Sequence, residues 1–249
     1  MADKDEHSKA RPIQDEVQIS LLGGFRISMA QQRLTLPPSA QRVLAALAVH
    51  PHELDRNVLG ATLYPDAPSS RVSANLRSAL WRTKHAAGQA IVETHGQRLE
   101  LAMGIEVDLQ FWSHQARSLI AQIGPNFDPD VAHIVEALSQ ELLPTWNEEW
   151  LILERQRWDH LRLHALERLA DDLAAAGRHT DALEAGHAAL AIEPYRESAY
   201  RALIRAYMAE GNSASALALY RRCQRLLMGD LGVRPTPQIQ ALVRAITGE

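Results

Sequence analysis

"ALERLADDLAAAGRHTDALEAGHAALAIEPYRESAYRALIRAYMAEGNSASALALYRRCQRLL", residues 165–227, carries the same pattern twice. Leu169 and Leu203, Leu173 and Tyr207, Gly177 and Gly211, Ala182 and Ala216, and Leu183 and Leu217 each stand 34 residues apart. A fixed spacing held at five positions of matching chemistry is the signature of stacked repeats. Each unit reads alike. Apolar residues at helical spacing lead to a Gly, which lets the chain turn through positive φ. A small Ala follows, where a second helix crosses the first. Pro194 closes the first unit. One helix pair buries too little apolar surface alone, so neighbouring pairs stack.

Thirty-four residues is the tetratricopeptide period. Before the repeats, "PTWNEEWLILERQRWDHLRLHALERLADDLAAAG" (144–177) supplies a long helix into the first unit. After them, "TPQIQALVRAIT" (236–247) supplies a last helix that caps the second. From Asp108 on, almost everything reads as helix, so residues 108–249 are expected to form an all-α, tetratricopeptide-like domain. Trp146, Trp150 and Trp158 are expected to anchor the long helix to the repeats. Glu148, Glu149 and Glu154, preceding Arg155 and Arg157, read as a solvated helix face.

The residues before Asp108 follow other periods. "VQISLLGGFRIS" (17–28) alternates around Gly-Gly and reads as a hairpin, and "RLTL" (33–36) as a further strand. "PPSAQRVLAALAVHP" (37–51) is a helix whose Val43, Leu44, Leu47 and Ala48 form an apolar stripe. "DRNVLGATLYPD" (55–66) is a short helix capped by Asp55 and stopped before Pro65. "APSSRVSANLRSALWRTKHAAG" (67–88) is a third, with Ser69 or Ser70 as N-cap and Gly88 as its end. "AIVETHGQRLELA" (90–102) is a hairpin turning at His95-Gly96. Sheet, three helices, hairpin is the order of a winged helix-turn-helix. The expected fold class is therefore mainly α with a small β part: a winged-helix domain at 13–107, then the helical domain, with residues 1–12 a disordered tail.

Charge points to a partner. The chain has 26 Lys/Arg and 30 Asp/Glu, a net charge of −4. Residues 13–115 hold 9 of each, and residues 116–249 hold 14 cations against 18 acids. Within the neutral part, residues 67–92 hold Arg71, Arg77, Arg82 and Lys84 and no acid. A local basic face binds phosphates, and the acidic remainder makes a second nucleic-acid surface unexpected.

The third helix sorts these residues by face. At 100° per residue from Val72, Leu76, Leu80, Ala79 and Thr83 fall beside Val72 as a buried stripe. Arg71, Ala74, Asn75, Ser78, Trp81, Arg82 and His85 fall opposite. Arg suits guanine N7 and O6, Asn suits adenine N6 and N7, and small residues let the backbone approach the major groove. Arg82 and Asn75 are the expected base readers. Arg77 and Lys84 lie on the flank and suit phosphates. Trp81 suits either sugar–phosphate or the second domain. Arg98, the only cation of the hairpin tip, faces either the minor-groove backbone or a cross-strand Glu93 or Glu100. A solvated charged face that binds nothing is the plain alternative for this helix.

"LLPTWNEEWLILERQRW", the repeat stretch, and "DLGVRPTPQIQAL" together resemble the bacterial transcriptional activator domain, and the part before it resembles an OmpR-type winged helix. The chain, from about Val17 to Ile246, is similar to the short form of the Streptomyces antibiotic regulatory protein family. The resemblance implies a sequence-specific transcription activator. It implies binding of double-stranded DNA at direct repeats in a promoter, often as a head-to-tail homodimer, and recruitment of RNA polymerase.

Other chemistry lacks its residues. No G-x-x-x-x-G-K-[ST], G-x-S-x-G, G-x-G-x-x-G or Cys-x-x-Cys occurs, so neither an enzyme nor a cofactor is expected. His160 and His164 share a helix face, but a third metal ligand is not in sight, so no metal site is expected. The single Cys223 rules out an internal disulfide and fits a reducing cytoplasm. No apolar run approaches the ~18 residues of a membrane span. The rival reading is a helical-repeat adaptor whose winged helix holds a protein instead of DNA.

Overall fold

The computed structural model describes residues 16–121 and 130–247. They form two compact units. The first holds residues 16–20 and Phe25–Val107; the second holds Leu21–Gly24 and the chain from Asp108 on. The expected tail at 1–12 lies outside the described residues.

In the first unit, β1 (Val17–Ser20) pairs antiparallel with β2 (Arg26–Met29), Val17 opposite Met29 and Ser20 opposite Arg26. β3 (Gln32–Arg33) adds to β2. The strand expected at 33–36 is thus shorter and shifted. Leu34 still donates to the Ile27 carbonyl at 2.9 Å, but the Gln41 amide takes the Leu36 carbonyl and two prolines follow. Proline has no N–H to continue a ladder.

α1 (Pro38–Val49) starts with Pro at its first position, where a missing N–H does no harm. Val43, Leu44, Leu47 and Ala48 are buried, and so are Ala40, Ala45 and Ala46, which makes α1 the central helix of the unit. After β4 (Leu54–Asp55), α2 (Arg56–Leu63) is capped by the Asp55 carboxylate, which accepts from the Asn57 and Val58 amides at 2.8 and 3.2 Å. α3 (Ser69–Ala87) begins one residue earlier than a serine cap requires. Pro68 holds the N-cap position with no side-chain bond, and its carbonyl accepts from Arg71 and Val72. Gly88 ends the helix at φ +67°. A Cβ on Gly60 would lie 2.6 Å from Val72 Cγ1, so α2 and α3 cross with glycine at their contact.

β5 (Val92–His95) and β6 (Arg98–Leu101) form the hairpin, joined through Gly96 at φ +63°. β6 also pairs with β4, giving the order β4-β6-β5. β7 (Glu106–Val107) runs parallel to β1 and completes the order β3-β2-β1-β7. This is a winged helix-turn-helix.

The second unit is helical: α4 (Asp108–Ala121), α5 (Val131–Ser139), α6 (Leu151–Ala175), α7 (His179–Ile192), α8 (Glu197–Ala209), α9 (Ser213–Asp230) and α10 (Pro237–Thr247). The repeat is visible bond by bond. Gly177 and Gly211 turn at φ +77° and +80°. Arg178 donates to the Leu173 carbonyl at 2.9 Å, and Asn212, 34 residues later, to the Tyr207 carbonyl at 2.8 Å. Ala182 and Ala216 are fully buried at the equivalent turns of α7 and α9. The α7–α8 contact is closer still: a Cβ on Gly186 would lie 2.6 Å from Leu203 Cγ and Cδ2. α10 is held by Glu197, whose carboxylate accepts from the Thr236 amide and hydroxyl at 2.7 and 2.8 Å.

Two arginines organise the start of this unit. Arg155 donates to the carbonyls of Leu142, Leu143 and Trp146, so it ties down the chain between α5 and α6 and does not belong to a solvated face. Arg162, 4% exposed, donates to Leu138 and Ser139 carbonyls and to Asp159. Trp158 is buried, and its indole N–H donates to the Gln140 carbonyl at 2.9 Å. It therefore anchors α6 to the end of α5. Trp150 and Trp146 are half-buried. The loop Leu21–Gly24 joins the same region: Leu22 bridges Leu142, and the Asp108 carboxylate accepts from the Leu21 and Leu22 amides at 2.8 and 3.2 Å. Among the described residues, no helix is long and apolar enough to cross a membrane.

Candidate nucleic-acid interface

α3 separates its faces as its sequence requires. Leu76, Ala79, Thr83 and Ala87 are buried and Val72 and Leu80 half-buried. The Thr83 hydroxyl is satisfied inside the helix, donating to the Ala79 carbonyl at 3.0 Å. Arg71, Asn75, Arg77, Ser78, Trp81, Arg82 and Lys84 are all exposed. Across the 19 residues of α3 there is no carboxylate. Solvated cations on such a face keep their charge available to an incoming anion.

Two contacts pre-set side chains on this face. Arg82 donates from Nη1 to the Ser39 hydroxyl at 3.1 Å, at the start of α1. Trp81 and His85 stack, with ring centroids 4.8 Å apart and planes 9° from parallel. The Ser39 contact had no signal in sequence, since the two residues are 43 positions apart. Behind Arg82, Arg42 lies 5.6 Å over the Tyr64 ring and donates to the Leu63 carbonyl. Burial pushes the Tyr64 phenol up, against the opposing pull of Arg42 and Arg82.

The hairpin tip is more acidic than its one arginine suggests. Glu93 and Glu100 are directly opposite across the strands. His95 sits between them, its Nε2 3.4 Å from Glu93 and 3.2 Å from Glu100. Arg98 is exposed and pairs with Glu53 at 3.3 Å, so neither Glu93 nor Glu100 is its partner. The structure therefore brings seven of the eight expected residues onto α3 and leaves Arg98 apart on the hairpin, beside a carboxylate.

Outside this face, His160 and His164 meet edge to face with centroids 4.4 Å apart. Burial, then His160 and Arg196, hold His164 below the ordinary histidine value. Cys223 is fully buried, and burial pushes its thiol up to about 12.

The model of the bacterial transcriptional activator domain matches residues 133–247. The transcriptional regulatory protein MoaR1 of Mycobacterium tuberculosis is 24% identical over 251 residues, covering 92% of this chain and 79% of its own. The regulatory protein AfsR of Streptomyces griseus is 26% identical over 249 residues, 93% of this chain and 24% of AfsR. The chain is thus similar over almost its whole length to these two regulators, and its second half matches the bacterial transcriptional activator domain. Mycobacterium tuberculosis EmbR, solved with a low-affinity phosphopeptide, shares the fold: the TM-score is 0.73 at 20% identity, covering 94% of this chain and 66% of that one. The chain thus spans about a quarter of the length of AfsR and 66% of the EmbR chain.

Proposed function

We infer that this protein activates transcription by seating α3 in the major groove of promoter direct repeats, bound as a head-to-tail pair, and that the helical domain from Asp108 on contacts RNA polymerase. The carrying observation is the outward face of α3, exposed along its length and free of acid. Arg82 and Asn75 read base edges, and Ser78 lets the backbone approach. Arg71, Arg77 and Lys84 meet phosphates. Trp81 lies in the groove with them, and Arg98 reaches the backbone beside the groove once it leaves Glu53. The protein works in the cytoplasm and needs no cofactor for this task.

The test compares variants on a DNA site selected from a random pool and on a scrambled duplex, at several salt concentrations. Arg82→Ala removes a base contact, so it costs ~1–3 kcal/mol on the selected site and narrows the gap to the scrambled one. Lys84→Ala weakens both duplexes alike and lowers the salt slope by about 1. If Arg82→Ala and Asn75→Ala bind both duplexes like the parent, α3 does not read DNA.

A further inference from the structure

Trp81 is 63% exposed on the same helix face as the cations. Single exposed apolar residues are common on protein surfaces and by themselves mean little. Trp81 differs in being held. His85, one turn on, stacks against it within 9° of parallel. The two rings form one aromatic plate, two rings thick, on the exposed face of α3. A side chain fixed before binding loses less entropy when a partner arrives.

The surroundings restrict what the plate can meet. Arg77, Arg82 and Lys84 lie within four residues of Trp81, and the whole of α3 has no acid. Such a setting repels a cationic partner and favours a polyanion. Within a polyanionic duplex the major groove is lined by polar edges, with one apolar group, the C5 methyl of thymine. We propose that the Trp81–His85 plate is a specificity element that packs on a thymine methyl, next to the base read by Arg82. This rests on the reading of α3 as the DNA-binding helix. Trp81 makes the contact; His85 is a positioning residue that keeps the indole flat against the groove.

The experiment replaces each thymine of the selected site, one at a time, by deoxyuridine, which removes only the methyl. Binding of the full chain to each duplex is measured for the parent, Trp81→Ala and His85→Ala, with far-UV circular dichroism as the folding control. For the parent, one thymine position should lose roughly three- to fivefold in affinity as deoxyuridine, the worth of about one buried methyl. In Trp81→Ala that discrimination should vanish, and in His85→Ala it should shrink while folding is unchanged. A parent that binds the selected site tightly but tolerates deoxyuridine everywhere overturns the proposal and leaves the DNA-binding reading standing. A Trp81→Ala variant that keeps the full discrimination, or that weakens the thymine and deoxyuridine duplexes equally, also overturns it, because the indole then lies elsewhere, for example on a sugar. A parent that selects no DNA at all overturns both readings together.

Discussion

Gly186→Ala tests whether the second unit is packed as a repeat solenoid. The new Cβ would lie 2.6 Å from both Cγ and Cδ2 of Leu203. Carbon atoms in contact sit about 3.5–4.0 Å apart, so Leu203 must shift by about 1 Å. It has nowhere to go: Leu203 is fully buried, with Ala202 and Ile204 beside it in the same core. Overpacking of this kind costs ~1–3 kcal/mol. Ala is favoured over Gly in a helix interior by about 1 kcal/mol, which offsets part of that. The single variant should therefore lose about 1 kcal/mol. Leu203→Ala alone should lose ~2–5 kcal/mol by opening a cavity. In the double variant the added methyl occupies some of the vacated space and the clash disappears, so its loss should be about 2 kcal/mol smaller than the sum of the singles. Urea unfolding followed by the helical circular dichroism signal gives all four corners of the cycle. If the two changes add to within about 0.5 kcal/mol, the helices α7 and α8 do not cross at these residues and the packing argument fails.

Three further outcomes follow from the same contacts. Ala216→Leu adds bulk at a fully buried crossing and should cost ~1–3 kcal/mol, read as a lowered melting temperature; an unchanged melting temperature would mean the second repeat is assembled otherwise. Arg155→Met strips three carbonyls of their donor and should cost ~2–3 kcal/mol in urea, with Arg155→Lys giving little rescue because a lysine lacks the guanidinium fork. Cys223, its thiol raised from 9.0 to about 12, stays protonated in the folded protein. Maleimide labelling at pH 8 should then track unfolding and not the free-thiol rate. Because the folded value lies above the unfolded one, this thiol's contribution to stability is complete below pH 9 and is lost as the pH rises from about 9 to 12, which Cys223→Ala should abolish.

What could be read in the sequence were features that repeat or alternate. Gly177 and Gly211 each need positive φ, and Ala182 and Ala216 each need a small side chain, so both repeats leave the same marks at the same spacing. Asp55 capped the helix that its sequence said it would cap. What could not be read were bonds between a side chain and a distant carbonyl or hydroxyl. Arg155 and Arg162 look like any solvated cations on a helix, because the carbonyls they bind carry no residue type. Asp108 gives no sign that it gathers the Leu21 and Leu22 amides from 87 and 86 residues away. On the candidate interface the faces of α3 were legible from a 100° wheel, but the Ser39 hydroxyl under Arg82 and the Glu53 carboxylate on Arg98 were not.

Charge raises the last question, since the whole chain is acidic at −4. Net charge governs solubility and long-range drift, but at 0.1 M salt a phosphate feels charges within about 10 Å. Over that range the relevant number is the local one. The approach to α3 offers four cations and no acid between Asp66 and Glu93. The hairpin offers the reverse: Glu93, Glu100 and Glu53 surround a single arginine and one histidine. The two parts of the winged helix therefore make unequal demands on a phosphate backbone. On the proposed reading, α3 would carry the electrostatic attraction, and the hairpin would reach DNA only where Arg98 exchanges Glu53 for a phosphate. Such an exchange trades one ion pair for another and adds little affinity, because an exposed pair is worth about 0–1 kcal/mol. If that reading holds, the salt dependence of DNA binding should fall far more on loss of Arg71, Arg77, Arg82 or Lys84 than on Arg98→Ala.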